Sequence, residues 1–199
     1  SQWDPMGMRG TCSPGFTVEA RCPAEQVMKT PFSVSASRTM VPVTHILWAS
    51  LWLGIAEGAV ARAHAFVRAE ARKQPGTMPP GALRLAELQN QLQQFRATVR
   101  DALREYERLT AGTAKEVEKL DTMSYAVRIN NLKLGASQKV VEIVQAAFAI
   151  CGISGYKNDS KFSLGRYLRD AYSAPLMISN DRIHLANASM LLVTKEDGQ

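Results

Sequence analysis

Over residues 37–150 apolar side chains recur at helical spacing, and only two short breaks interrupt the pattern. The first is residues 74–81, QPGTMPPG, a firm loop signal. The second is Thr110-Ala111-Gly112-Thr113. A chain divided in this way predicts long helices that lie side by side to bury their apolar faces. The first helix is expected over residues 37–73, with Pro42 in its first turn, where a missing N–H is not needed. Ile46, Leu47, Leu51, Leu53 and Ile55, with Trp48 and Trp52, make its first half apolar nearly all round, as in a helix buried on most sides. After Gly58 it becomes amphipathic. The second helix is expected over residues 82–109, where Leu85, Leu88, Leu92, Phe95, Val99, Ala102 and Tyr106 keep three-and-four spacing. The third is expected over residues 114–150, with Val117, Leu120, Val127, Leu134, Val141, Val144 and Phe148 on one face and Gly152 and Gly155 ending it. Asn131 falls in that seam and is expected to bond a neighbouring helix from the core. Shorter helices follow over residues 164–173 and 180–193, then a polar tail expected to fray.

The stretch before these helices has another character. Phe16, Val18 and Ala20 alternate with Thr17 and Glu19, between the turn signals Asp4-Pro5, Gly10 and Ser13-Pro14-Gly15. A short β-hairpin is expected there, and an isolated hairpin needs support. The fold class is therefore mainly α: an antiparallel four-helix-type bundle over residues 35–199, with a strand-bearing stub over residues 1–34.

Charge and cysteine usage narrow the partners. The net charge is +6, which suits an anionic small molecule, a membrane surface or nucleic acid. Yet Arg62, Arg68, Arg84, Arg96, Arg100, Arg104 and Arg108 are spread singly on helical faces, with no compact basic block and no interleaved aromatics, which argues against nucleic acid. Cys12, Cys22 and Cys151 have neither the even count of a disulfide framework nor Cys-x-x-Cys metal spacing. Reduced thiols and a cytoplasmic location are expected, with no metal. The apolar run 43–55, broken by His45, Ser50 and Gly54, is shorter than the roughly 20 residues a bilayer requires. Neither a membrane span nor a secretory leader is expected.

The stretch with most chemical content is residues 165–183, GRYLRDAYSAPLMISNDRI. It sets a helix end, a break at Pro175, the donor-rich loop Ser179-Asn180-Asp181-Arg182 and a helix start side by side, and a helix start offers unpaired N–H groups to an anion. A plain helix–loop–helix corner accounts for the same residues. Cys151-Gly152-Ile153-Ser154-Gly155-Tyr156, followed by Gly165-Arg166-Tyr167-Leu168-Arg169-Asp170-Ala171, resembles the C-terminal helical domain of the acyl-CoA dehydrogenase family. Far upstream, Trp3-Asp4-Pro5-Met6-Gly7-Met8-Arg9-Gly10-Thr11 resembles the last strands of that family's middle β-domain. The likeness covers nearly the whole chain but only the latter half of a family member, which implies a fragment, while Ser1 in first place fits either a fragment or a removed leader. The likeness implies FAD, an acyl-CoA or related thioester as substrate, and self-association to a dimer or tetramer.

The resemblance also assigns roles. Arg72 matches the arginine that meets the FAD pyrophosphate, although Gln74-Pro75-Gly76 replaces the usual Phe-Gly at the adenine. Gly152 and Gly155 match the glycine turn at the pyrophosphate, and Ser179 and Asn180 match the loop that bonds the flavin. Arg169 and Asp170 are expected to pair with each other. The family's enzymes take an α proton with a carboxylate, a task suited to a base whose pKa burial raises. Here the usual glutamate position reads Ile178, and the alternative position on the first helix falls near Thr44 and His45. His45 and Asp181 are the remaining candidates for the base. A buried core histidine and a helix N-cap are their plain structural readings. The expected function is FAD-dependent α,β-oxidation of an acyl thioester. A flavin monooxygenase of the same fold, which requires no such base, and a non-catalytic helical partner subunit are the alternatives.

Overall fold

Pro42 shapes the beginning of the first helix. The computed structural model describes residues 2–194, and its first helix, α1, runs Phe32–Lys73, several residues ahead of the start expected from the sequence. Proline has no N–H and its ring crowds the carbonyl four residues back. The helix therefore widens into a π-turn at Ala36–Met40, directly before Pro42. The carbonyl that Pro42 cannot serve belongs to Arg38, and it accepts instead from the Tyr106 hydroxyl at 3.1 Å.

The second helix, α2, spans Ala82–Thr110 and buries Leu88, Leu92, Phe95 and Val99, as the spacing predicts. The expected third helix is divided. A short α3, Ala114–Glu118, is followed by a tight turn at Lys119–Asp121, and α4 runs Met123–Cys151. The divide falls at Thr122, whose backbone is extended and whose hydroxyl accepts from the Tyr125 N–H at 3.3 Å. That is an N-cap, and it ends the earlier turn as it starts the next helix. Asp121, at the same divide, accepts from Arg38 Nη2 at 2.5 Å and from Ser37 Oγ at 2.6 Å, tying the start of α4 to the start of α1. The Arg38 bonds hold the Asp121 carboxyl below its usual range.

The long helices run up, down and up. At one end a Cβ on Gly81, beside the start of α2, would meet Val67 of α1 and Ile150 of α4. At the other end lies the Arg38–Asp121 pair. The core between them includes Ala49, Trp52, Ala56, Ala59, Val140, Ile143, Val144 and Ala147. Small residues on α1 facing β-branched residues on α4 let the two axes come close. α1 is not buried all round, however: Leu47 is 62% exposed and Leu51 46%. Both α1 and α4 are long and apolar enough to cross a membrane by length and composition alone, a test that the core helices of a bundle also pass.

Three short helices complete the fold: α5, Ile153–Tyr156; α6, Gly165–Ala171; and α7, Asn180–Leu191. Tyr167 seats α6 on α1 above Gly58, where any Cβ would come within 2.5 Å of its ring, and the Arg62 guanidinium lies 5.6 Å from the ring centre. α7 lies antiparallel along α4, with Asn180 bonded to Ser137 and Asn187 bonded to Asn130 and Asn131. Three long helices with a short fourth are present, not four of similar length. Asn131 does bond a neighbouring helix, but from an exposed position and not from the core.

The hairpin expected at the N-terminus does not form, and no strand occurs among the described residues. Phe16 and Val18 are 83% and 71% exposed, so the alternating segment has no sheet to lean on. Met8 and Cys12 adopt left-handed backbone angles, φ 52° and 45°, which break an extended run. Of the polar tail, residues 195–199 lie outside the described residues.

Candidate functional site

The two motifs separated in sequence meet in space. The Met8 N–H donates to Asp170 Oδ1 at 2.7 Å, across 162 positions. Gly7 lies against the Arg169 carbonyl so closely that a Cβ would stand 2.0 Å from the oxygen. Only a glycine backbone passes at that distance. Arg169 and Asp170 do not form the ion pair expected of them. The carboxylate instead takes the Met8 amide and stands 3.7 Å from Arg166 Nε, because residues one apart on a helix do not face each other. Between segment and helix is a cavity of about 450 Å³ lined by Met6, Gly10, Thr11, Arg166 and Arg169.

Beyond α6 the chain turns sharply to α7, and the turn closes around a side chain that sequence reasoning missed. Lys133 of α4 is fully buried, and its Nζ donates to Asn180 Oδ1 at 2.6 Å, to the Ile178 carbonyl at 2.9 Å and to the Ala174 carbonyl at 3.3 Å. Three donors meet three acceptors, so the ammonium is satisfied by hydrogen bonds but faces no carboxylate among the described residues. Burial pushes its pKa down to about 8. The Trp52 ring lies 5.8 Å away on the α1 side. Ser137, one turn along α4, is also fully buried and exchanges hydrogen bonds with the Asn180 amide. A signal was present: Lys133 and Ser137 are polar positions four apart, beside the apolar Leu134 and Val141 of the face expected to be buried.

His45 reaches this region from α1. It is 5% exposed, its Nδ1 bonds the Val41 carbonyl at 2.7 Å, and its Nε2 is buried with no partner among the described residues. Burial lowers its pKa, and the Lys133 charge lowers it further against the raising effect of the Val41 bond. The imidazole is thus neutral at pH 7.

The other predicted residues divide between inside and outside. Asn180 faces α4, where its Oδ1 accepts from Lys133 and its Nδ2 donates to Ser137; it is half-buried, and its second amide N–H has no partner among the described residues. Gly155 is buried, where a Cβ would come 2.8 Å from that of Cys151. Gly152 is exposed with φ 52° and open space above it, so turn geometry is what requires glycine there. Arg72 is exposed in the last turn of α1 and makes no ion pair among the described residues. Asp181 is exposed and is not the N-cap: Ser179 holds that place, and Asp181 lies in the first turn, where a carboxylate suits the helix dipole. Ile178 is 48% exposed at φ 47°, a backbone a β-branched residue rarely adopts, and its carbonyl is held by Lys133. Among the described residues no three His, Cys, Asp or Glu converge as metal ligands would.

A second cavity of about 720 Å³ lies between α1 and α2, lined by Glu57, His64, Leu85, Gln89 and Arg96. Neither cavity reaches His45, Ile178, Ser179, Asn180 or Asp181. The corner is filled on its inner side by Lys133 and open on its outer side. The residues of this chain therefore do not by themselves enclose a tricyclic ring.

Long helices packed as a bundle, with a two-turn Arg-Asp-Ala helix leading to a strained corner, place the chain in the class of helical domains built on the acyl-CoA dehydrogenase fold. Residues 46–180 match the family described as Acyl-CoA dehydrogenase, C-terminal domain, and the chain belongs to that family. Solved structures with the same fold include FMN-bound TdsC from Paenibacillus sp. A11-2, at 24% identity over 96% of this chain and 50% of that one, with a TM-score of 0.69. The dibenzothiophene monooxygenase (TdsC) of the same organism aligns at 24% identity over 96% and 51%, with a TM-score of 0.69. Indole-bound TdsC aligns at 23% identity over 96% and 51%, with a TM-score of 0.71. The chain spans about half the length of these proteins. Comparison with curated protein sequences returns no match.

Proposed function

We propose that this chain is the helical part of a flavin-dependent oxidoreductase and forms one wall of the flavin site. The supporting observation is the corner itself, a turn inside the span that matches the family, tightly held from inside and without an outer partner among the described residues. The groups it leaves free are the Ser179 hydroxyl at the start of α7, the exposed Gly152 turn and Arg72. When bound, a flavin supplies two-electron redox chemistry. FMN and FAD are both compatible with these residues, since residues 74–76 offer no aromatic ring for an adenine.

The reaction class the corner favours is monooxygenation. No carboxylate stands in the buried cluster of His45, Lys133, Ser137 and Asn180, Asp181 is exposed, and the usual base position is Ile178. TdsC, a monooxygenase by its description, has the same fold. One observation favours the second reading, α,β-dehydrogenation of an acyl-CoA or related thioester: His45 is neutral and its Nε2 has no partner, as a base would require. The exposed Leu47, Leu51, Leu176 and Leu185 support self-association to a dimer or tetramer. We read residues 1–34 as the end of a preceding β-domain and the location as cytoplasmic, with no nucleic-acid partner.

Titration of this chain with FMN and with FAD, followed by flavin fluorescence, is expected to show weak binding or none. The longest polypeptide that contains it is expected to purify yellow. A colourless product that takes up neither flavin would leave only a non-catalytic helical subunit. With a yellow protein, anaerobic bleaching by an acyl-CoA selects the dehydrogenase, and product formation that requires both reduced flavin and oxygen selects the monooxygenase. In either case, turnover unchanged by His45→Ala would make His45 a core histidine and not a base.

A further inference from the structure

Lys133 stands apart from every role so far assigned. It is a fully buried cation on the core face of α4, and each of its bonds runs to the segment from the end of α6 to the first residue of α7. Those bonds fix three points of that segment: Ala174 just after α6, Ile178 at its left-handed residue, and Asn180 at the first residue of α7. With the Ile178 carbonyl pinned, the chain must turn left-handed there to bring Asn180 back onto α4. Ser137 braces Asn180 from the other side. We propose that Lys133 is the positioning residue of the corner: the loop over residues 174–180 closes around its amino group, which as ammonium donates to all three acceptors and as neutral amine still donates to two, and the corner opens and closes as a unit against that post. This rests on the fold alone and is independent of any flavin.

The groups facing the ammonium settle the sign of its pH dependence. From α1 come the neutral His45 and the Trp52 ring, from α4 itself Ser137, and from the corner two carbonyls and an amide. Asp181, Arg182 and His184 of α7 are exposed and make no bond to it. Among the described residues no anion faces the ammonium, and burial costs the charge more than its three hydrogen bonds return, so a closed corner disfavours the charged form, consistent with a pKa near 8 against 10.5 in water. The open corner therefore binds the proton more tightly, and closure strengthens as pH rises from 8 toward 10.

Hydrogen exchange read at the amides of Met177, Asn180 and Ile183, which bond Ser173, Pro175 and Ser179, tests this directly. After correction for intrinsic rates, corner protection in the native chain is expected to rise at least tenfold between pH 7 and pH 9.5, while α2 amides stay constant. In Lys133→Met, whose side chain fills similar space without charge, the corner is expected to lose at least tenfold in protection at pH 8 and to become insensitive to pH. Unchanged corner protection in that variant overturns the proposal. If the variant does not fold, the native pH series decides alone: flat corner protection, or a rise shared equally by α2, overturns it.

Discussion

Trp52 and Lys133 lie within 5.8 Å of each other, yet the regions they anchor are held by different physics. Trp52 belongs to the trunk of α1, α2 and α4, where burial is non-directional and spread over many side chains such as Ala56, Leu92, Val140 and Ile143. Lys133 belongs to the corner, where a handful of directed bonds fixes a short segment whose Ile178 holds an uncommon backbone angle. In the trunk each loss is graded, because neighbours relax into part of the gap. In the corner each loss removes one of very few constraints. The trunk can therefore supply stability while the corner supplies conformation, and a family can vary the second on an unchanged first.

The sharpest way to break this contrast is at Trp52. Trp52→Ala deletes a side chain that is 1% exposed, and is expected to lower unfolding free energy by about 3–5 kcal/mol. Urea denaturation followed by circular dichroism measures it. A loss under about 1 kcal/mol would mean that the trunk does not depend on this side chain.

The next test asks whether the corner contributes a titrating charge to the whole. Lys133 has a folded pKa of about 8 against 10.5 unfolded, so the unfolded chain binds more protons between those values. The Lys133 contribution is then expected to increase with pH across that window, by on the order of 3 kcal/mol at most. Above about pH 9 it is opposed by Cys151 and Tyr125, whose pKa values burial raises to about 11 and about 12. Lys133→Met should flatten the slope below about pH 9 and leave only the opposing one above it. His45 adds a slope of the same sign at lower pH: its folded pKa is depressed, so stability is lost as pH falls below about 6.5. Native and Lys133→Met curves that coincide from pH 7 to 10 would show that the lysine is hydrated.

The same contrast explains what could be read from the sequence. Apolar periodicity marks a face, and the trunk is made of faces, so Leu88, Leu92, Phe95 and Val99 fell where the spacing put them. The divide at Thr122 was missed because one hydroxyl cap, not a glycine or proline, makes it. The π-turn was missed because Pro42 was assigned to a helix start when it lies well inside the helix. The motifs at Gly7 and Asp170 were legible singly, but their bond is a fact of tertiary approach. Lys133 was passed over because a single lysine on a helix is nearly always solvated. Asn180 was assigned to a flavin by resemblance alone, and the sequence gives no sign that its amide also meets Lys133 and Ser137.

A clasp outside the trunk gives a smaller effect. Gly7→Ala places a methyl 2.0 Å from the Arg169 carbonyl, where only backbone movement relieves it. The segment from Met6 to Thr11 is expected to leave α6 and the Met8–Asp170 bond to break, with a stability loss of roughly 1–2 kcal/mol. Limited proteolysis should cut residues 2–31 faster while the trunk fragment persists. Equal cutting rates would show that the clasp does not hold the segment.

Ile178 gives the smallest effect and the most discriminating one, because its sign differs from the rest. An isoleucine at φ 47° holds a backbone that glycine adopts without penalty. If the Lys133 bonds impose that angle, the strain is a cost the corner carries, and Ile178→Gly should relieve it. The isoleucine is 48% exposed, so little burial is lost in exchange. Glycine also adds freedom to the unfolded chain, a cost of roughly 0.5–1 kcal/mol that offsets part of a gain of about 1–2 kcal/mol. The net expectation is a rise of up to about 1 kcal/mol in the native protein. In a Lys133→Met background the pinning bond is gone, the loop is free to leave the left-handed region, and the same substitution should only destabilise. A double-mutant cycle measured by urea denaturation reads this reversal as coupling between residues 133 and 178. Additive effects would mean that the left-handed turn is set by the local chain, and that the lysine fills space beneath a corner it does not shape.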